Sequence, residues 1–211
     1  MSDVALIHVV DDDESQRVAL LRLLGAAGFE TRGYGCTGEF LLQPLPDRPA
    51  CLLLDMHLPG PSGLELQAAL QLRGCTLPVV FLTGYGDVAS SVQAMKAGAV
   101  DFLSKPIERD ALLDAIGRAL ARDRALRAAG REAADLRSRF AALTPREREV
   151  FDGVVAGKLN KQIAEAMGIA ERTVKLQRAQ MMRKLGAGSA AELGALAERL
   201  KGLCARYSPE A

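Results

Sequence analysis

No apolar run in this 211-residue chain approaches the ~20 residues that a membrane-spanning helix needs. The opening MSDVALIHVVDDDES has neither a basic stretch nor a small-residue cleavage site, so no secretory signal is expected. Cysteine is scarce. Cys36, Cys51, Cys75 and Cys204 lie far apart, without the spacing of a metal site or the density of a disulfide scaffold. They read as reduced thiols, and a cytoplasmic protein without a membrane partner is expected. Hydrophobic residues make up 49% and charged ones 25%, which excludes a mainly disordered or collagen-like chain.

A net charge of +1 conceals an asymmetry. Residues 1–120 carry 9 Lys/Arg against 15 Asp/Glu, residues 121–142 carry 6 against 3, and residues 143–211 carry 12 against 8. An acidic front and a basic back imply two jobs, the second on nucleic acid.

The front half alternates apolar runs with amphipathic stretches. Strands are expected at 4–10, 50–54, 77–82 and 100–104, with a weaker, more polar one at 29–34. Helical patterns fall at 14–27, 37–43, 63–73 and 87–97, and a fifth begins near Arg109. This alternation predicts a doubly wound α/β domain with a five-stranded parallel sheet. No proline interrupts 108–144, so the fifth helix can continue beyond the domain. Along it Leu126, Ala129, Ala133, Leu136, Phe140 and Leu143 recur at coiled-coil spacing. A dimerising seam and a solvated, Arg-rich linker are both open there, and Gly130 weakens the first.

In such sheets the working crevice lies at the carboxyl ends of the strands. The first strand runs into Asp11, Asp12 and Asp13, the third ends at Asp55, the fourth at Thr83, and Lys105 follows the fifth. Each has a plainer role taken singly: Asp13 as a helix cap, Asp55 as a turn residue, Thr83 as a strand end, Lys105 as a solvated charge. Together they are an acidic pocket that needs a cation. Oxygen-only ligands favour Mg²⁺, and a hydroxyl with an ammonium suits a phosphoryl group.

The motifs VVDDDE, LLLDMHLPGPSG, FLTG and AGAVDFLSKP are similar to those of receiver domains of two-component response regulators, over residues 1–120. The resemblance implies strand order 2-1-3-4-5 and Asp55 as acceptor of a phosphoryl group from a sensor histidine kinase. It implies Mg²⁺ bound by Asp12, Asp55 and the backbone carbonyl of His57, with Asp11 acting mainly through water. Lys105 would pair with the phosphoryl group and Thr83 would hydrogen-bond to it. Phe102 stands at the position of an aromatic switch that turns inward when the threonine shifts, although a plain core phenylalanine would look the same.

Two enzyme outlines compete with this. Gly33-Tyr34-Gly35-Cys36-Thr37-Gly38 fits G-x-G-x-x-G, but the helix after it is cut short by Pro44 and Pro46. A Mg²⁺-dependent phosphohydrolase with an aspartate nucleophile needs a second aspartate two residues on, where this chain has His57.

From 143 onward short helices are divided by Gly157, Gly168 and Gly186. Thr144, Pro145 and Glu147 mark a helix start, Asn160 opens a second helix, and Arg172–Leu185 forms a third rich in cations. That outline is a helix-turn-helix, which any small helical bundle can imitate. LTPREREV and GKLNKQIAEAMGIAERTVKLQRAQMMRKLGAGSAAEL resemble the LuxR-type DNA-binding domain, as attached to FixJ-like response regulators. The resemblance makes Arg172–Leu185 the recognition helix. Lys175, Leu176, Ala179 and Gln180 would face base edges, and Lys161, Thr173, Arg178 and Lys184 would contact phosphates. A last helix at 189–200 would carry a dimer surface. Ala170 stands where a serine cap is usual, at a cost of about 1 kcal/mol.

The expected organisation is a receiver at 1–120, a helical linker at 121–142 and an all-α DNA-binding domain at 143–204. The expected protein is not an enzyme but a phosphorylation-controlled transcription factor that dimerises when phosphorylated. Its expected partners are a sensor kinase, promoter DNA and RNA polymerase. A phosphorylation-independent DNA-binding or adaptor protein is the alternative of a different class.

Overall fold

Five strands, β1 (Leu6–Val10), β2 (Glu30–Tyr34), β3 (Ala50–Asp55), β4 (Val79–Thr83) and β5 (Asp101–Ser104), form one parallel sheet in the order β2-β1-β3-β4-β5. The computed structural model describes residues 4–44, 47–84 and 88–205, without the side chains of 88–91 and 203–205. Asp87, expected to open the fourth helix, and the Cys204 side chain lie outside the described residues. Cys36, Cys51 and Cys75 are free thiols. No helix among the described residues is long and apolar enough to cross a membrane.

Alternation sorts the strand side chains onto two faces. Ile7, Val9, Leu53, Val80 and Leu82 pack with Leu20 and Leu24 of α1 (Glu14–Ala26) and with Leu112 and Ile116 of α5 (Arg109–Ala141). Val10, Leu52, Leu54 and Phe81 pack with Phe40 of α2 (Thr37–Leu41), Leu66 and Leu70 of α3 (Gly63–Leu72) and Ala94 of α4 (Val88–Lys96). Each fully buried leucine is worth roughly 1.5–3 kcal/mol of transfer free energy, so covering both faces dominates the stability of this layer. The polar run at 29–34 is explained by position: β2 is an edge strand, and of its residues only Tyr34 is buried.

The chain divides into two compact units, residues 1–128 and 129–211, with the division inside α5. The first unit runs past 120 because α5 is still anchored there. Asp123 is buried, accepts the Ala50 N–H at 3.1 Å and pairs with Arg127 Nε at 2.6 Å.

In the second unit α6 (Pro145–Val155), α7 (Asn160–Met167), α8 (Glu171–Leu185) and α9 (Ala190–Ala205) surround Val150, Ile163, Val174, Met181, Leu185 and Leu193. Leu136 and Leu143 are buried in this same core, and Phe140 packs edge-to-face on Phe151. The C-terminal half of the heptad pattern in α5 is therefore occupied within its own domain and is not a free seam. Helical spacing of apolar residues has the same form whether the partner is a second chain or the domain that follows.

Candidate functional site

The sheet delivers the expected residues to one end. Asp11 follows β1, Asp55 ends β3, Thr83 ends β4 and Lys105 comes directly after β5. Carboxylate oxygens of Asp11, Asp12 and Asp55 all lie within 4.8 Å of one another. Lys105 Nζ stands 2.6 Å from Asp55 Oδ2 and 2.9 Å from Asp11 Oδ2. Burial pushes the Asp11 carboxyl above its usual range, and the Lys105 hydrogen bond and charge only partly counter this. For Lys105 burial acts downward, but its bonds to Asp55 and Asp11 outweigh it and leave the ammonium harder to deprotonate. Three carboxylates beside one ammonium leave an excess of negative charge, and their all-oxygen donor set fits a hard divalent cation such as Mg²⁺.

Local geometry aims these groups. Asp13 turns away from the pocket to cap α1, accepting the Gln16 N–H at 3.0 Å. The His57 N–H donates to Asp55 Oδ1 at 3.1 Å. Thr83 is buried beside Asp55 in register, since Asp55 pairs with Leu82 one position earlier. Phe102 sits on β5 with 43% of its surface exposed, so the ring is outward in this state.

Two residues that sequence reasoning did not single out shape the pocket. A Cβ on Gly63 would meet Asp55 O at 2.6 Å and Phe81 Cε1 at 2.9 Å, so only glycine lets α3 start this close to the acceptor strand. Arg17 reaches back from α1 and donates from Nη1 to Asp11 O at 2.6 Å. PSG before a helix was the available signal for the first; Arg17 left none. The G-x-G-x-x-G run belongs to edge strand β2 and the five-residue α2, too short for a dinucleotide crossover.

In the second unit α7 and α8 are joined through Gly168, whose φ of 64° is left-handed, as a helix-turn-helix requires. The helix expected to be the recognition helix, α8, begins at Glu171, one residue before Arg172, after Ala170, which supplies no side-chain cap. Lys175, Leu176, Ala179 and Gln180 are all exposed along it, and Leu176 shows 59% of its surface. Lys161 is exposed on α7 and Thr173 half-buried on α8. Arg178 Nη1 donates to Asn160 Oδ1 at 2.9 Å, and Lys184 Nζ lies 2.7 Å from Glu147 Oε2. Both cations therefore tie α8 to its neighbours, Arg178 to α7 and Lys184 to α6.

A parallel 2-1-3-4-5 sheet with acidic strand ends, followed by a helix-turn-helix unit, defines a signal-receiving DNA-binding regulator. Residues 7–117 match the family model described as response regulator receiver domain, and residues 141–197 that of bacterial regulatory proteins, luxR family. Nodulation protein W of Bradyrhizobium diazoefficiens is 44% identical over 99% of this chain and 92% of its own length. FixJ of the same organism is 40% identical over 92% and 94%, and TodT of Pseudomonas putida 37% over 95% and 89%. Among solved structures, the response regulator StyR is 44% identical with a TM-score of 0.83, covering 93% of this chain and 99% of its own. Full-length FixJ from B. japonicum gives 39% and 0.57, covering 93% and 97%. The chain belongs to the FixJ-like transcriptional response regulators, with a receiver domain and a LuxR-type DNA-binding domain.

Proposed function

We propose that Asp55 accepts a phosphoryl group from a sensor histidine kinase and that this modification controls DNA binding by residues 143–204. The supporting observation is the meeting of Asp55, Asp11, Asp12 and Lys105 at the strand ends. A carboxylate oxygen of Asp55 forms the new O–P bond as the P–N bond of the kinase phosphohistidine breaks. The products are an acyl phosphate and a free imidazole, which takes up a proton. Asp12, Asp55 and the His57 carbonyl would hold Mg²⁺, with Asp11 acting mainly through water. The ion supplies charge neutralisation for an anionic acceptor meeting an anionic group.

This chain's own groups do the rest. Lys105 already bridges Asp11 and Asp55 and moves onto the phosphoryl oxygens. The Thr83 hydroxyl, which donates to Gly84 O at 3.3 Å here, turns to the same group. Phe102 follows inward into the space that Thr83 leaves, changing the exposed surface of β5. A second copy docks on that surface. Two helix-turn-helix units held together make the second half-site contact intramolecular, which raises affinity ~10²–10⁴-fold. RNA polymerase is the partner at the occupied promoter.

Incubation with Mg²⁺ and a small phosphodonor, read by intact mass, tests this. A labile adduct of one phosphoryl group on the wild type, absent in Asp55→Asn, is expected. Sedimentation should show dimers only after modification, and footprinting across the chain's own genomic neighbourhood should show operator binding that tightens with it. Quantitative modification with unchanged mass and unchanged DNA affinity would overturn the coupling; no adduct would leave a phosphorylation-independent DNA-binding protein.

A further inference from the structure

Asp12 stands at the rim of the acidic pocket, exposed, and among the described residues no side chain holds its carboxylate. Its aim therefore depends on the backbone before it. Asp11 is held through its N–H, which donates to Tyr34 O at 3.2 Å, and through its carboxylate, which accepts the Asp13 N–H at 2.9 Å and faces Lys105. Its carbonyl is held, among the described residues, by Arg17 at 2.6 Å. That carbonyl belongs to the peptide joining Asp11 to Asp12, so turning it would swing the Asp12 side chain.

The second strand makes room for this reach. A Cβ on Gly33 would stand 3.2 Å from both Cγ and Cδ of Arg17 and 2.8 Å from Leu21 Cδ1. One on Gly35 would stand 3.9 Å from Arg17 Nη1. Gly33 thus leaves room along β2 for the arginine stem, whereas a side chain at Gly35 would reach only ordinary contact with its tip. Arginine is permanently charged and rigidly forked, and here it sits on a carbonyl rather than on a carboxylate. It adds positive charge beside the pocket without occupying a metal-binding oxygen.

We propose that Arg17 is a positioning residue for the divalent-cation site: it locks the Asp11–Asp12 peptide so that Asp12 presents its carboxylate to the ion. This rests on the reading of the pocket as a Mg²⁺-dependent phosphoacceptor site. Groups that orient metal ligands through one intermediary typically affect metal affinity 10–100-fold.

The test uses the full-length chain as wild type, Arg17→Lys and Arg17→Gln. Mg²⁺ binding is measured by calorimetry on unmodified protein, and phosphodonor-driven modification is followed across a Mg²⁺ series. Arg17→Gln should bind Mg²⁺ ~10-fold more weakly yet recover the wild-type modification rate at saturating Mg²⁺. Arg17→Lys should fall between the two, because an ammonium can still donate to the carbonyl. Thermal unfolding in chelator should be the same for all three, which separates positioning from general destabilisation. Wild-type Mg²⁺ affinity in Arg17→Gln, or a lowered rate that saturating Mg²⁺ does not restore, would overturn the proposal while leaving the pocket assignment standing. A wild type that neither binds Mg²⁺ nor takes up a phosphoryl group would overturn both.

Discussion

Lys184 Nζ lies 2.7 Å from Oε2 of Glu147, and that same oxygen accepts the N–H and the hydroxyl of Thr144 at 2.8 and 3.0 Å. One buried carboxylate thereby ties the end of α8 to the start of α6 and closes a capping box. Glu147→Ala should destabilise the second unit by about 2 kcal/mol, because a charge-assisted hydrogen bond and a cap are lost together. Urea unfolding followed by circular dichroism checks it. The Lys184 hydrogen bond, with those of Thr144, holds the Glu147 carboxyl below its ordinary range. Its contribution should be complete above about pH 4.5 and lost as pH falls through the lower folded value.

A different response is expected in the first unit. His8 is fully buried on β1, with Nδ1 3.0 Å from Tyr34 Oη and with Nε2 unpartnered among the described residues. Burial, aided by the charges of Arg32 and Arg48, pushes its pKa from 6.5 down to about 4. The unfolded chain therefore binds the extra proton first as pH falls, so stability should decline between about pH 6.5 and 4 and level off below. The double variant His8→Phe, Tyr34→Phe removes both polar partners and should be at least as stable at pH 7, with that slope gone. Thermal melts from pH 7 to 4 decide it; an unchanged slope would exclude His8 as its source.

Gly63→Ala should cost about 1–3 kcal/mol, as overpacking does, and should also slow modification of Asp55. The added Cβ would press on the backbone oxygen of Asp55, which has no flexible end to move aside. Stability and phosphodonor reactivity measured on one preparation test both halves. Loss of stability with normal reactivity would confine the glycine to packing.

On the DNA side, Lys175→Ala should relax sequence preference by ~1–3 kcal/mol if its amine leaves Glu171, now 3.0 Å away, for a base edge. Lys161→Ala should instead weaken specific and random DNA alike and flatten the salt dependence. Lys184→Ala should lower the salt slope less than Lys161→Ala does, since its charge is already matched by Glu147. Titrations at several salt concentrations separate the three, and equal slopes for Lys161 and Lys184 would contradict the pairing.

Legibility differed by kind of residue. Asp11, Asp55, Thr83 and Lys105 were visible because each stands at the end of an apolar run, and a doubly wound sheet gathers such ends at one edge. Ala170 was visible as a missing cap because capping is settled within four residues. Arg17 was not, because its target lies across a loop and the room for its stem depends on Gly33 of another strand. The destination of Leu136, Phe140 and Leu143 was equally hidden, since their spacing suits a coiled coil and a domain core alike.

Local chemistry alone therefore determined the order of strands and helices, the caps at Asp13 and Thr144, and the acidic strand ends. Those depend on backbone preference, side-chain period and hydrogen bonds spanning a few residues. Only the tertiary structure decided that Lys105 bridges Asp11 and Asp55 across 94 and 50 positions, that His8 is buried against Tyr34, and that Lys184 is matched by Glu147. Such pairings depend on which strands lie adjacent and how close two helices approach, and packing sets both after the chain has closed on itself.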